Sequence, residues 1–163
     1  MQIRLACLYD VPAVVSLAAK SKLSDWPQSD YEAELLRNDS IFLASIDEME
    51  QLDGFVIGRV VPGNDQMNSV DAEIYNIAVH AENRRRGIGS NLVNSFFEAC
   101  RVRDVRTVRL EVRADNISAQ KFYEKHGFTV EFIRKAYYRD PVADAIIMRT
   151  TLRSPPFVQR QFA

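Results

Sequence analysis

Cysteine is almost missing from this chain: Cys7 and Cys100 stand far apart and outside any CxxC. That leaves no material for a disulfide framework or a thiolate zinc site. Histidine is as scarce, with His80 and His126 only, too few for a multi-histidine metal centre. No metal is expected, and both histidines are read as surface residues. No apolar run approaches the ~20 residues that cross a bilayer. The first ten residues, MQIRLACLYD, lack the long apolar core and small-residue cleavage site of a signal peptide. The expected compartment is the cytoplasm. Nor is either charge in excess, since 21 Lys and Arg against 22 Asp and Glu give a formal net charge of -1. Coating nucleic acid or an anionic membrane takes a strong basic surplus, so neither is expected as a partner.

What is present is one domain's worth of chain, 163 residues of which 47% are hydrophobic. A chain of that size buries roughly 70% of its unfolded surface and folds without a covalent staple. Alternation of apolar and polar residues predicts strands over 2–8, 41–46, 54–62, 72–79, 106–113, 128–134 and 143–150. Asp10 is placed to cap a helix over 11–20, with Pro12 in its first turn. Ser29 or Asp30 is placed to cap a short helix over 31–37, and Pro62-Gly63-Asn64-Asp65 marks a turn. Ile88, Leu92, Val93, Phe96, Phe97 and Cys100 recur at helical spacing, so 88–102 is an amphipathic helix with Cys100 packed inside. Asn116 starts a last helix that Gly127 ends. The expectation is an α/β (α+β) domain over 1–152: a mixed, mostly antiparallel sheet of six to seven strands flanked by four helices, with 153–163 as a tail.

Glycine is rare, six residues, yet two of them share one bend. In IYNIAVHAENRRRGIGSNLV a strand ends near Val79, a basic loop follows, and Arg84-x-x-Gly87-x-Gly89 opens a helix. Glycine at such a bend lets main-chain N–H groups approach an anion, and the helix N-terminus adds partial positive charge. The bend suits phosphate or diphosphate. A P-loop is excluded because no Lys-Ser/Thr follows the second glycine, and the dinucleotide GxGxxG pattern is not met. A solvated arginine run is the plain alternative.

In RLEVRADNISAQKFYEKHGF, Glu111 faces away from the apolar Leu110/Val112 side of its strand and lies between Arg109 and Arg113. Those arginines, if close, would lower its basicity. Taken singly, Glu111 is a solvated carboxylate, Asn116 an N-cap and Tyr123 a core residue. Their joint occurrence after the phosphate-type bend argues for more.

Together these residues resemble the GCN5-related N-acetyltransferase (GNAT) superfamily. Its [Q/R]-x-x-G-x-[G/A] signature is met by Arg84, Gly87 and Gly89, and its downstream pattern by Asn116, Ala119, Phe122, Tyr123, Gly127 and Phe128. NIAV, RRGIGSNLV, LEVRADN, FYEKHGF, RKAYYRD and DAIIM further resemble the bacterial enzymes that acetylate the N-terminal alanine of a small-subunit ribosomal protein. The likeness runs from about 54 to 150 and is weak over the first ~50 residues, where Trp26-Pro27 is a loose echo of the family's Phe-Pro-Trp. The family commonly carries an aromatic or apolar residue where this chain has Arg109.

The resemblance implies the GNAT fold and acetyl-CoA as the acyl donor. It implies that Ile77, Ala78 and Val79 lie on a splayed strand that binds the acetyl-pantetheine arm. Arg84, Arg85, Arg86, Gly87, Ile88, Gly89 and Ser90 would wrap the diphosphate, and Asn116 would hydrogen-bond the cofactor. Glu111 would be the general base, directly or through water, and Tyr123 the general acid, with Tyr137 and Tyr138 lining the acceptor channel. The acceptor is expected to be the α-amine of the N-terminus of a protein, a ribosomal one first among them. The alternatives are a small-molecule amine or amino acid as acceptor, or a non-catalytic acyl-CoA-binding module. The chain is expected as a monomer or homodimer.

Overall fold

The computed structural model describes residues 1–23, 25–63 and 69–152. Along the chain come β1 (Gln2–Leu5), α1 (Val11–Lys20), α2 (Gln28–Leu35), β2 (Ser40–Ile46), β3 (Leu52–Pro62), β4 (Val70–Val79), α3 (Ile88–Val102), β5 (Thr107–Arg113), α4 (Ile117–Lys125), β6 (Thr129–Arg139) and β7 (Val142–Thr151). Among the described residues the strands form one seven-stranded sheet in the order β1-β2-β3-β4-β5-β7-β6. Every neighbouring pair is antiparallel except β4 and β5. This is the mixed sheet with four helices that the residue pattern predicts.

Helices cover both faces. The apolar stripe of α3, from Ile88 through Leu92, Phe96 and Cys100, packs with Tyr123 of α4 onto Val56, Ile74, Leu110, Val112 and Met148. On the opposite face α1 and α2 bury Val11, Val14, Leu17 and Tyr31 against Phe42, Ala44, Phe55 and Ile57. Side chains of this size each contribute about 1.5–3 kcal/mol when fully buried. Burial also pushes the Cys100 thiol up to about 12, which suits packing and not nucleophilic chemistry. Among the described residues no helix is long and apolar enough to cross a membrane.

Several ends differ from the sequence expectation. β1 stops at Leu5 instead of residue 8, because a one-turn 3-10 helix over Leu8–Asp10 follows. Asp10 does not cap α1; it accepts from the Cys7 amide at 2.8 Å and from both Arg4 nitrogens, fastening β1 to the helix. α2 begins at Gln28, after an extended Pro27, so Ser29 and Asp30 lie in its first turn and cap nothing. β6 and β7 extend to a tight turn at residues 140–141. His80 and His126 are half-buried at the surface, and the His126 ring lies tilted with its centroid 4.5 Å from that of Phe122. Part of the Pro62–Asp65 turn and all of the 153–163 tail lie outside the described residues.

A β-bulge shapes the middle of the sheet. Ile57 pairs with Asn76 and Gly58 with Ile74, so Tyr75 is one residue too many on β4. Gly58 makes that approach possible, since a Cβ there would collide with the Glu73 carbonyl oxygen and sit 2.8 Å from the Phe96 ring. Gly58→Ala should therefore lose about 1–3 kcal/mol of stability by overpacking, read as a lower urea midpoint at unchanged m-value.

Candidate active site

The parallel ladder between β4 and β5 is short. It runs from Asp71↔Thr107 to Ile74↔Leu110 and stops. Beyond it β4 stays with β3 as far as Val79, while β5 stays with β7 as far as Arg113. The strands therefore part, and among the described residues no strand joins that edge of β4 beyond Ile74. A sheet edge of this kind is a ready template for an extended, amide-bearing ligand. Ile77 and Val79 are half-buried toward the α3 side, and Ala78 is buried on the other.

At the end of β4 the chain bends into α3. Arg85 (φ 65°) and Gly87 (φ 84°) both adopt the left-handed conformation, and Gly87 stands at the N-cap. The first helical bond here runs from the Asn91 amide to the Gly87 carbonyl, 3.0 Å. The amides of Ile88, Gly89 and Ser90 therefore precede the helical ladder and point out of the helix end. Arg84 Nε donates to the Val79 carbonyl at 3.1 Å, tying the bend to the strand. Arg86 donates to Asn83 at 2.8 Å, and Asn83 in turn to Asp53 at 2.6 Å. A Cβ at Gly87 would meet nothing within 4 Å, while at Gly89 it would touch the Phe122 ring at 3.3 Å. The bend is thus packed on its inner side against α4 and open outward, lined by amides and arginines. That donor set fits a diphosphate.

Glu111 lies on β5 immediately after the strands part. Its Oε1 accepts from the Tyr138 hydroxyl at 2.8 Å, and Arg134 approaches Oε2 at 3.5 Å. The expected influence of Arg109 and Arg113 is overturned. Arg109 spans Glu131 (2.8 Å) and Asp71 (2.5 Å), and Arg113 forks onto Asp115 at 3.1 and 3.0 Å. Carboxylates on neighbouring strands and the next turn take both cations away from Glu111. The Arg109 guanidinium is accordingly raised, first by Glu131.

Tyr138 reaches Glu111 because β6 bulges: Arg134 pairs with Ala145, but the next paired residue is Tyr138, with Ala143. Asp144 pins the bulge by accepting from the Ala136 amide and the Lys135 Nζ, each at 2.8 Å. Tyr137 is exposed and packs edge-on to Tyr138 at 5.3 Å. Burial first, then Glu111, drives the Tyr138 phenol well above the ordinary tyrosine value.

Tyr123 sits on the other face, its ring buried between Phe122 and Phe128. Desolvation pushes its phenol up to about 12, so it is protonated throughout the neutral range. The sheet thus separates Glu111 from Tyr123, and the gap between β4 and β5 is where the two faces meet. Asn116 spends Oδ1 on the Ala119 amide (3.1 Å) as the cap of α4, leaving its Nδ2 as the group available to a ligand.

Known proteins share this fold. The family model described as Acetyltransferase (GNAT) family matches residues 11–128. A protein of Bacillus subtilis (strain 168), named provisionally as a ribosomal protein bS18-alanine N-acetyltransferase, is 35% identical over 89% of this chain and 91% of its own length. The crystal structure of the ribosomal-protein-S18-alanine N-acetyltransferase from Escherichia coli superimposes with a TM-score of 0.80 at 26% identity, covering 99% of each chain. That of Ard1 from Thermoplasma volcanium does so with a TM-score of 0.78 at 29% identity, over 93% of this chain and 97% of that one. Strands that part where an acyl carrier could lie, and an amide-lined bend that could hold its diphosphate, are what such enzymes need, and this chain belongs to the acetyltransferase (GNAT) family as an acetyl-CoA-dependent N-acetyltransferase.

Proposed function

We propose that this chain acetylates the α-amine of a protein N-terminus, an alanine of a ribosomal protein first among them, in the cytoplasm. The observation that carries this reading is Glu111, bonded to Tyr138, at the mouth of the gap between β4 and β5. The relatives in Bacillus subtilis and Escherichia coli, named for acetylating a ribosomal-protein alanine, support the acceptor. The balanced charge of the chain supports a reaction without nucleic acid or membrane, carried by one catalytic domain over residues 1–152, as a monomer or homodimer.

Acetyl-CoA supplies an acyl group already activated as a thioester. The amides of Arg85–Ser90, with Arg84 and Arg86 beside them, would hold its diphosphate, and Asn116 would donate through Nδ2. The edge at Ile77–Val79 would hold the pantetheine arm, and an N–H near Val79 would polarise the acyl carbonyl. One such donor is typically worth ~3 kcal/mol of barrier. Tyr137 and Tyr138 line the acceptor's approach.

Attack needs a neutral amine. A peptide α-amine, pKa ~7.7–8.0, is roughly 10–30% neutral near pH 7, a few hundredfold more than a lysine side chain at ~10.4. Glu111, which accepts from Tyr138 and lies 3.5 Å from Arg134, serves by attracting and orienting the amine or its water, and the proton the amine gives up on acylation leaves through that water. Tyr123, fully protonated, delivers a proton to the departing thiolate.

Glu111→Gln should lower kcat/KM about three- to tenfold at pH 7, and the deficit should shrink toward pH 9 as the amine loses its proton unaided. An unchanged profile would remove Glu111 from the mechanism. The weak likeness of the first ~50 residues supports a second reading, a small amine or amino acid as acceptor. Turnover of small amines with inactivity toward N-terminal peptides would favour that reading.

A further inference from the structure

The bulge at Tyr75 puts an aromatic ring on the sheet face of Glu111, just past the last β4–β5 pair. Tyr75 is the first β4 residue beyond the last pair with β5, Ile74↔Leu110. Arg59 pairs with Glu73, and Glu73 with Arg109, so these three share a sheet face with Glu111, two residues beyond Arg109. The Tyr75 ring lies on that face, with the Arg59 guanidinium 5.4 Å from its centroid and Trp26 at 6.0 Å.

Both neighbours are themselves held. Arg59 donates Nε and Nη2 to Glu34, which is only 2% exposed. Trp26 packs at 5.3 Å against Tyr31, which is fully buried. Tyr75 keeps 36% exposure, so part of the residue remains open to solvent. Burial first, then Glu73, keeps its phenol neutral. The ring is therefore an uncharged surface that cannot swing aside without losing the Arg59 and Trp26 contacts.

We infer that Tyr75, clamped by Trp26 and by the Glu34–Arg59 pair, is the wall that limits the side chain of the acceptor's first residue to small groups such as hydrogen, methyl or hydroxymethyl. The inference rests on the α-amine reading above. An amine at Glu111 projects its own first side chain across the gap, onto that ring. A methyl group fits against the ring, whereas a leucine side chain displaces it. Tyr75 thus selects the acceptor by exclusion, and Arg59 and Glu34 are positioning residues that make the exclusion firm.

The test compares kcat/KM for two peptides that differ only in beginning with alanine or leucine. The wild type and Tyr75→Phe should favour alanine at least tenfold. Tyr75→Val should shrink that ratio below threefold, mainly by improving the leucine peptide, with acetyl-CoA affinity by calorimetry unchanged as the control for folding. Arg59→Met, which keeps bulk without the charge, should shift the ratio the same way by a smaller factor. A ratio no lower than the wild-type value in a folded Tyr75→Val, or in a folded Arg59→Met if the first variant fails to fold, overturns the inference and leaves the α-amine reading standing. Wild-type turnover of small amines but of neither peptide overturns both.

Discussion

Tyr123→Phe should lower kcat at least tenfold while leaving acetyl-CoA affinity within about twofold of wild type. The substitution removes one hydroxyl from a ring packed between Phe122 and Phe128, so volume and stacking survive. What is lost is a proton donor held in its neutral form by burial, with its phenol pushed up to about 12. General-acid groups commonly contribute 10²–10⁴ in rate, and tenfold is the lower bound if release of product shares control of turnover. The loss should fall on kcat and kcat/KM together, the pattern of an interaction made only in the transition state. The wild-type pH profile should rise with deprotonation of the acceptor amine near pH 8. It should show no decline from Tyr123 below about pH 11, because a phenol titrating near 12 is still protonated there. Unchanged turnover in the phenylalanine variant would assign the proton to another donor.

Gly87→Val should weaken coenzyme A binding about thirtyfold. Gly87 holds φ 84° at the N-cap of α3, a conformation that costs an L-residue about 1–2 kcal/mol, and a β-branched residue at least that. Nothing lies within 4 Å of the position its Cβ would take, so the added atoms do not clash. The cost is conformational, and the bend relieves it by turning the amides of Ile88, Gly89 and Ser90 away from their common focus. About 2 kcal/mol lost from the interaction corresponds to that thirtyfold. Stability should change less than affinity, since the bend is exposed and the α3 stripe from Ile88 to Cys100 stays packed. Calorimetric affinity equal to wild type, with an intact fold, would show that the bend does not hold the diphosphate.

The two later helices, whose period and end signals are local in sequence, were legible in it, although the local cap roles read for Asp10, Ser29 and Asp30 were not borne out. Ile88–Val102 forms as the helical period predicts, because Gly87 sets its start and six apolar residues share one buried face. Asn116 and Gly127 bracket α4 as their chemistry demands, one by accepting the Ala119 amide and the other at φ 82°. The two bulges were not legible. Alternation assigns Tyr137 and Tyr138 to opposite faces and cannot foresee that Asp144, across the hairpin, holds the extra residues of β6. Nor can it foresee the surplus residue Tyr75 on β4, which depends on Gly58 in the neighbouring strand. Arg109 and Glu111 sit two apart and read as a charge pair, but Asp71, 38 residues away in sequence, takes the arginine instead. The parting of β4 and β5 is a property of two strands together, and only the family resemblance anticipated it.

The coenzyme site is tested most directly by following backbone amide NMR shifts while coenzyme A is titrated into the wild-type chain. Saturable shifts should be largest at the amides of Arg85–Ser90 and along Ile77–Val79. No saturable change, or changes confined to the α2 side around Glu34 and Arg59, would contradict a diphosphate held at the α3 bend.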